Sequence, residues 1–90
     1  MNKNINEMTS VLAGTNNSKE IRQFLESILT PKELHDIGLR WELVKRLDRG
    51  ETQRKIAKEL HLSLCKITRG SRELKKKDAI LKKFIDRLTK

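Results

Sequence analysis

Residues 52–75 read TQRKIAKELHLSLCKITRGSRELK, and the fold follows from how this stretch is divided. Thr52 has the chemistry of a helix N-cap, and Ile56, Ala57 and Leu60 fall on one side of the short helix it would start. His61–Ser63 reads as a turn. Ser63 can then cap a second helix that buries Leu64, Ile67 and Leu74. Two helices this short, joined this tightly, must cross steeply, and Ala57 is the small side chain placed at the crossing. The pattern predicts a helix-turn-helix, whose second helix enters the DNA major groove while the first lies across the backbone. His61 stands at a turn position often held by glycine, and histidine tolerates a left-handed backbone better than most other side chains.

The residues facing outward from this pair divide by role. Gln53, Arg54, Arg69, Arg72, Lys75, Lys76 and Lys77 are candidate phosphate contacts, which supply affinity and register. Cys65, Lys66 and Thr68, near the start of the second helix, are better placed for base edges. The chain has no Tyr, one Trp and two Phe, all on apolar helix faces, so stacking platforms for single strands are missing.

Working outward, the same helical period runs through nearly the whole chain, and no stretch alternates with period two. Ile5, Met8, Val11 and Leu12 mark a weak first helix that Gly14 ends. Asn17 with Glu20 signals a second start, followed by a stripe of Ile21, Phe24, Leu25, Ile28 and Leu29. Thr30, Pro31 and Glu33 form a capping-box start for a third helix, with Leu34, Ile37, Trp41 and Val44 in line and Leu43 and Leu47 beside them. Gly50 is a typical residue just past its end. Asp78 reads as the cap of a last helix burying Ile80, Leu81, Phe84, Ile85 and Leu88.

The fold class predicted is all-α, five to six short helices in one domain over 1–90. It comprises N-terminal dimerisation helices (1–29), a central helix (31–49), the helix-turn-helix (52–75) and a C-terminal helix (78–89). Ninety residues make a small core, so the short, broad-striped N-terminal helices are expected to pack on a second copy of the chain. A monomeric bundle is the alternative.

Composition points the same way. The net charge of +9 is unevenly spread: residues 1–30 carry three basic and three acidic side chains, 31–60 eight and six, 61–90 ten and three. A neutral front and a basic back suggest an assembly half and a half that meets a polyanion. The single cysteine cannot form an internal disulfide, and no apolar run reaches the length of a membrane span. A soluble, cytoplasmic protein without a membrane partner is expected. No metal is expected either, since His35 and His61 have no Cys or His at a ligand spacing. No nucleophile has a nearby base, so an enzyme is not expected.

One residue resists the helical reading. Gly70 lies inside the second motif helix, where glycine costs about 1 kcal/mol relative to alanine. It either lets two helices approach or leaves room for a ligand.

The run LTPKELHDIGLRWELVKRLDRGETQRKIAKEL (29–60) followed by KITRGSRELK (66–75) resembles the bacterial tryptophan repressor family, with LTP, Arg40, Arg49–Gly50, Gln53–Arg54 and ITRGS its most specific elements. The resemblance implies an intertwined homodimer that binds double-stranded operator DNA, with L-tryptophan as corepressor, and represses genes of tryptophan biosynthesis or uptake. It implies that Arg40 and Arg69 flank the indole ring, that Arg69 pairs with the ligand carboxylate, and that Gly70 lets the ring approach the helix. It also implies that Leu29 and Thr30 meet the ammonium group. A guanidinium offers a flat face to a ring and a fork to a carboxylate, so these roles are chemically sound.

The chain departs from the family at several positions: Glu73 replaces a serine that touches the ligand, and Ser27 a leucine of the pocket wall. Ala57 and Lys66 replace a lysine and a threonine on the DNA side, and the motif is one residue shorter near its start. Two alternatives stay open: a ligand-independent helix-turn-helix regulator with an altered pocket, motivated by Glu73, and a basic helical module that binds RNA or an acidic protein.

Overall fold

A computed structural model describes residues 2–89. Among them the chain is all-helical: α1 (Lys3–Ala13), α2 (Ser18–Ile28), α3 (Pro31–Asp48), α4 (Gln53–Leu60), α5 (Leu64–Leu74) and α6 (Ile80–Asp86), with a 3₁₀ turn at Arg87–Thr89. Its contacts gather into two compact units, 1–34 and 35–90.

In the first unit each helix start is chemically explicit. The Asn2 side chain accepts from the Asn4 and Ile5 amides, and the Asn17 side chain from those of Lys19 and Glu20. Gly14 ends α1 as expected. The capping box at α3 closes in both directions: Thr30 N donates to Glu33 Oε1 at 2.9 Å, and Glu33 N to Thr30 Oγ1 at 3.1 Å. Neither α1 nor α2 buries a residue; Ile5, Val11 and Ile28 are exposed, and a groove between the helices is lined by Met8, Leu12, Ile21 and Phe24.

The second unit holds the core. Leu43 of α3, Ile56 of α4 and Ile67 of α5 meet with almost no exposure, and Leu47, Ala57, Leu60 and Leu62 pack against them. The small Ala57 is thus half-buried against this cluster. Gly50 closes α3 with φ 90°, Gly50 N donating to Leu47 O and Glu51 N to Arg46 O, a Schellman pattern. The turn after α4 takes His61 through φ 54°, left-handed as the sequence suggests.

Four expectations need correction. Leu64 is 65% exposed, because the helix begins there and its side chain lies off the stripe through Ile67 and Gly70. Asp78 does not cap α6: its backbone is left-handed (φ 56°), whereas a capping residue takes the β region. Ala79 holds that position with no side-chain bond. The α6 face read as buried is also mostly open, with Ile80, Phe84 and Leu88 exposed and only Ile85 buried. On α3, Ile37 is likewise exposed while Leu43 and Val44 are buried.

Candidate nucleic-acid interface and ligand cleft

α4 and α5 are fixed to α3 by charge as well as by the apolar core. Arg46, whose side chain is 11% exposed, reaches Glu51 at 2.8 Å and also pairs with Glu59 of α4. Glu59, then Glu51, hold the Arg46 guanidinium above its ordinary value, while Arg46 draws the Glu59 carboxyl below the usual carboxylate value. Glu51 also faces Arg49 (3.7 Å) and Lys55 (3.9 Å). On the far side Lys82 of α6 grips Asp48 through both carboxylate oxygens (3.0 and 3.1 Å) and Asp86 at 3.2 Å, which raises its pKa. These links were not read from the sequence. Arg46–Glu59 and Lys82–Asp48 are brought together by tertiary packing, whereas Lys55–Glu51 and Lys82–Asp86 have an i, i+4 spacing that was a usable signal.

With the frame held, one face of α5 is free. Gln53 and Arg54 at the start of α4, and Cys65, Lys66, Thr68, Arg69, Arg72, Lys75, Lys76 and Lys77 on or just beyond α5, are all exposed. No ion pair engages Arg54, Lys66, Arg72, Lys75 or Lys77 among the described residues. Helix α5 thus presents unpaired cations and small polar side chains, the composition that phosphate and base-edge contacts require.

Alongside this face a cleft of about 980 Å³ opens within the 35–90 unit, and Cys65, Lys66, Arg69, Lys76 and Lys77 of the exposed set lie on its rim. Its apolar wall comes from Ile37, Trp41, Leu43 and Val44 of α3 and from Ile80 and Leu81 of α6. Arg40, Arg69, Gly70 and Glu73 all line it. Leu29 and Thr30 belong to the other unit, where Leu29 caps α2 and the Thr30 hydroxyl is engaged by the Glu33 amide.

Gly70 is buried, and a Cβ built on it would face α3, 3.4 Å from Leu43 Cδ2 and Leu47 Cδ1 and 3.5 Å from Val44 Cγ1. Those are ordinary contacts with flexible side chains. Packing in the free chain therefore accommodates alanine, and the glycine is not demanded by helix crossing alone.

Glu73 stands among cations. Lys76 Nζ lies 2.5 Å from Glu73 Oε2 and Arg69 Nη2 lies 3.9 Å from Oε1. Lys76, first, and then the charges of Arg69 and Arg72 hold the Glu73 carboxyl below its usual value. The Glu73–Lys76 spacing of three was legible as a helix pair, yet the sequence reading assigned Lys76 to phosphate alone. Among the described residues no three His, Cys, Asp or Glu side chains come together as metal ligands, and no helix is long and apolar enough to cross a membrane.

Comparison with known proteins gives a consistent result. The profile of the Trp repressor protein family matches residues 3–89. A Trp operon repressor homolog of Actinobacillus succinogenes is 43% identical over 63% of this chain and 57% of its own length. Homologs of the same name from Chlamydia trachomatis (34%; 77% of this chain, 74% of theirs) and Xylella fastidiosa (32%; 87% and 84%) align over longer stretches. No solved structure matches the chain.

Proposed function

Because the chain belongs to the Trp repressor protein family, we propose that it is a tryptophan-responsive transcriptional repressor. As a homodimer it binds double-stranded operator DNA, with L-tryptophan as corepressor, and acts on genes of tryptophan synthesis or uptake. The relatives' name, Trp operon repressor homolog, supports this reading. The observation that carries it is the double use of α5: its basic face is exposed, and residues of that face, Lys66 and Arg69, also border the cleft that holds Arg40, Gly70 and Glu73.

The mechanism follows from that juxtaposition. An indole ring in the cleft would meet Trp41, Ile37 and Val44, with guanidinium planes from Arg40 and Arg69 beside it. Arg69 offers its fork to the ligand carboxylate. A ligand wedged between α3, α5 and α6 restricts where α5 stands, and so raises the share of molecules whose recognition helix fits the major groove. Gly70 fits the ligand role, since it lines the cleft next to Arg69. Cys65, Lys66 and Thr68 face the bases in this reading; Gln53, Arg54, Arg69, Arg72 and Lys75 hold phosphates.

The test is selection from a pool of random duplexes at fixed salt, with and without L-tryptophan. A recurrent sequence enriched with tryptophan supports the reading. Equal enrichment in both arms favours a ligand-independent regulator, which the Glu73 carboxylate already facing Arg69 would explain. Salt-sensitive binding without sequence preference contradicts both.

A further inference from the structure

Glu73 and Lys76 form a contact whose chemistry matches one half of an amino acid. The cleft rim carries Arg69 and Glu73 of α5, one helical turn apart, and Lys76 just past the end of that helix. A zwitterion laid along this rim would bring its carboxylate to Arg69 and its ammonium to Glu73. In the free chain the second place is already taken: Lys76 Nζ, itself an ammonium, lies 2.5 Å from Glu73 Oε2. Arg69 is held much more loosely, at 3.9 Å with an 82% exposed side chain, so its fork remains open to a carboxylate.

We propose that Lys76 is an internal competitor for the ligand's ammonium, and that Glu73 makes an amino group a condition of tight binding. The ligand's ammonium displaces Lys76 from Glu73, and Lys76 swings into solvent. This inference rests on the tryptophan reading of the cleft and departs from the family resemblance, which puts Leu29 and Thr30 at the ammonium, in making Glu73 an acceptor with Lys76 as its rival. A ligand with the same ring and carboxylate but no amino group leaves the Glu73–Lys76 pair intact. It also sets its own carboxylate near that of Glu73, an unfavourable like-charge approach.

The energetic scale is that of an exposed ion pair. Glu73 is 30% and Lys76 61% exposed, so displacing Lys76 changes affinity modestly, about two- to fivefold. The direction is what makes the proposal testable. Removing a cation from the rim of the site should tighten tryptophan binding, although bulk charge arguments predict that it weakens binding of any carboxylate.

Isothermal titration of the full chain with L-tryptophan and with indole-3-propionate, at one stated salt concentration, reads this out. Lys76→Met should tighten tryptophan about two- to fivefold and leave indole-3-propionate unchanged or weaker. Glu73→Gln should weaken tryptophan and strengthen indole-3-propionate, reversing the order of the two ligands. Lys76 is exposed and Glu73 half-buried, and a circular-dichroism melt of each variant confirms that it is folded. Tryptophan binding that is unchanged or weakened by Lys76→Met, or a ligand order untouched by Glu73→Gln, overturns the exchange while leaving tryptophan as the ligand. Neither compound binding to any of the three proteins overturns the tryptophan reading and the exchange with it.

Discussion

At His61 the chain turns through φ 54° with a side chain that glycine would not carry. Left-handed backbone costs an L-residue about 1–2 kcal/mol, and glycine returns roughly 0.5–1 of this as unfolded-state entropy. His61→Gly should therefore raise stability by about 0.5–1 kcal/mol, read as a shift in the urea midpoint at constant slope. A lower midpoint would mean that the imidazole makes a stabilising contact. Gly70 presents the converse case. Its missing Cβ faces α3 at ordinary contact distances, so Gly70→Ala should stabilise the free chain by up to about 1 kcal/mol. In the same protein tryptophan binding should weaken, because a methyl narrows the α3–α5 wall of the cleft. Stability and affinity moving together would separate Gly70 from the ligand. Both residues stood out in the sequence, because each breaks a local rule. What the sequence withheld was the direction of the absent Cβ, which depends on how α5 is rotated against α3.

Between elements, the Arg46 clamp joins α3 to the Glu51 loop and to Glu59 on α4. Glu59 is drawn below the ordinary glutamate value of 4.5 in the folded chain, first by its bond to Arg46. A carboxylate with a depressed folded pKa adds stability that is complete above its unfolded value and is lost as pH falls through the folded one. The wild-type chain should thus hold its stability from neutral pH down to about 5 and lose part of it below about 4.5. In Arg46→Met the neutral-pH stability should be lower and the acid loss shallower, which thermal melts across pH would show. An unchanged acid profile would dissociate Glu59 from the clamp. Helix starts with Asn, Thr and Ser caps were legible because their determinants are local. The clamp was not, since Arg46 and Glu59 are thirteen positions apart and meet only after α3 and α4 pack. The start of α6 misled for a related reason: Asp78 is a good capping residue by type, but the backbone arriving from α5 holds it left-handed.

At the scale of the chain, apolar side chains are exposed in both units, whereas net positive charge gathers in the second. The first unit buries none of its α1 or α2 residues, and Val11 is 69% exposed. In the reading proposed here those faces meet a second copy, so sedimentation equilibrium should give twice the chain mass of 10.5 kDa. Val11→Glu should shift the chain toward a single copy, whereas in a monomer an exposed substitution of this kind is nearly neutral. A monomeric wild type would contradict the homodimer. The stripes on α1, α2 and α6 were visible in the sequence, but periodicity cannot say whether an apolar face is covered by its own chain or by another. Residues 61–90 carry seven net positive charges, and Lys66, Arg69, Lys76 and Lys77 of this stretch line the cleft in which the ligand is proposed to sit. If one helix reads both DNA and tryptophan, each must tighten the other by the same factor. The most direct test measures duplex affinity with and without saturating L-tryptophan, and tryptophan affinity with and without saturating duplex, at one fixed salt concentration. Two increases of equal size are expected; duplex affinity indifferent to tryptophan would contradict a helix that reads both.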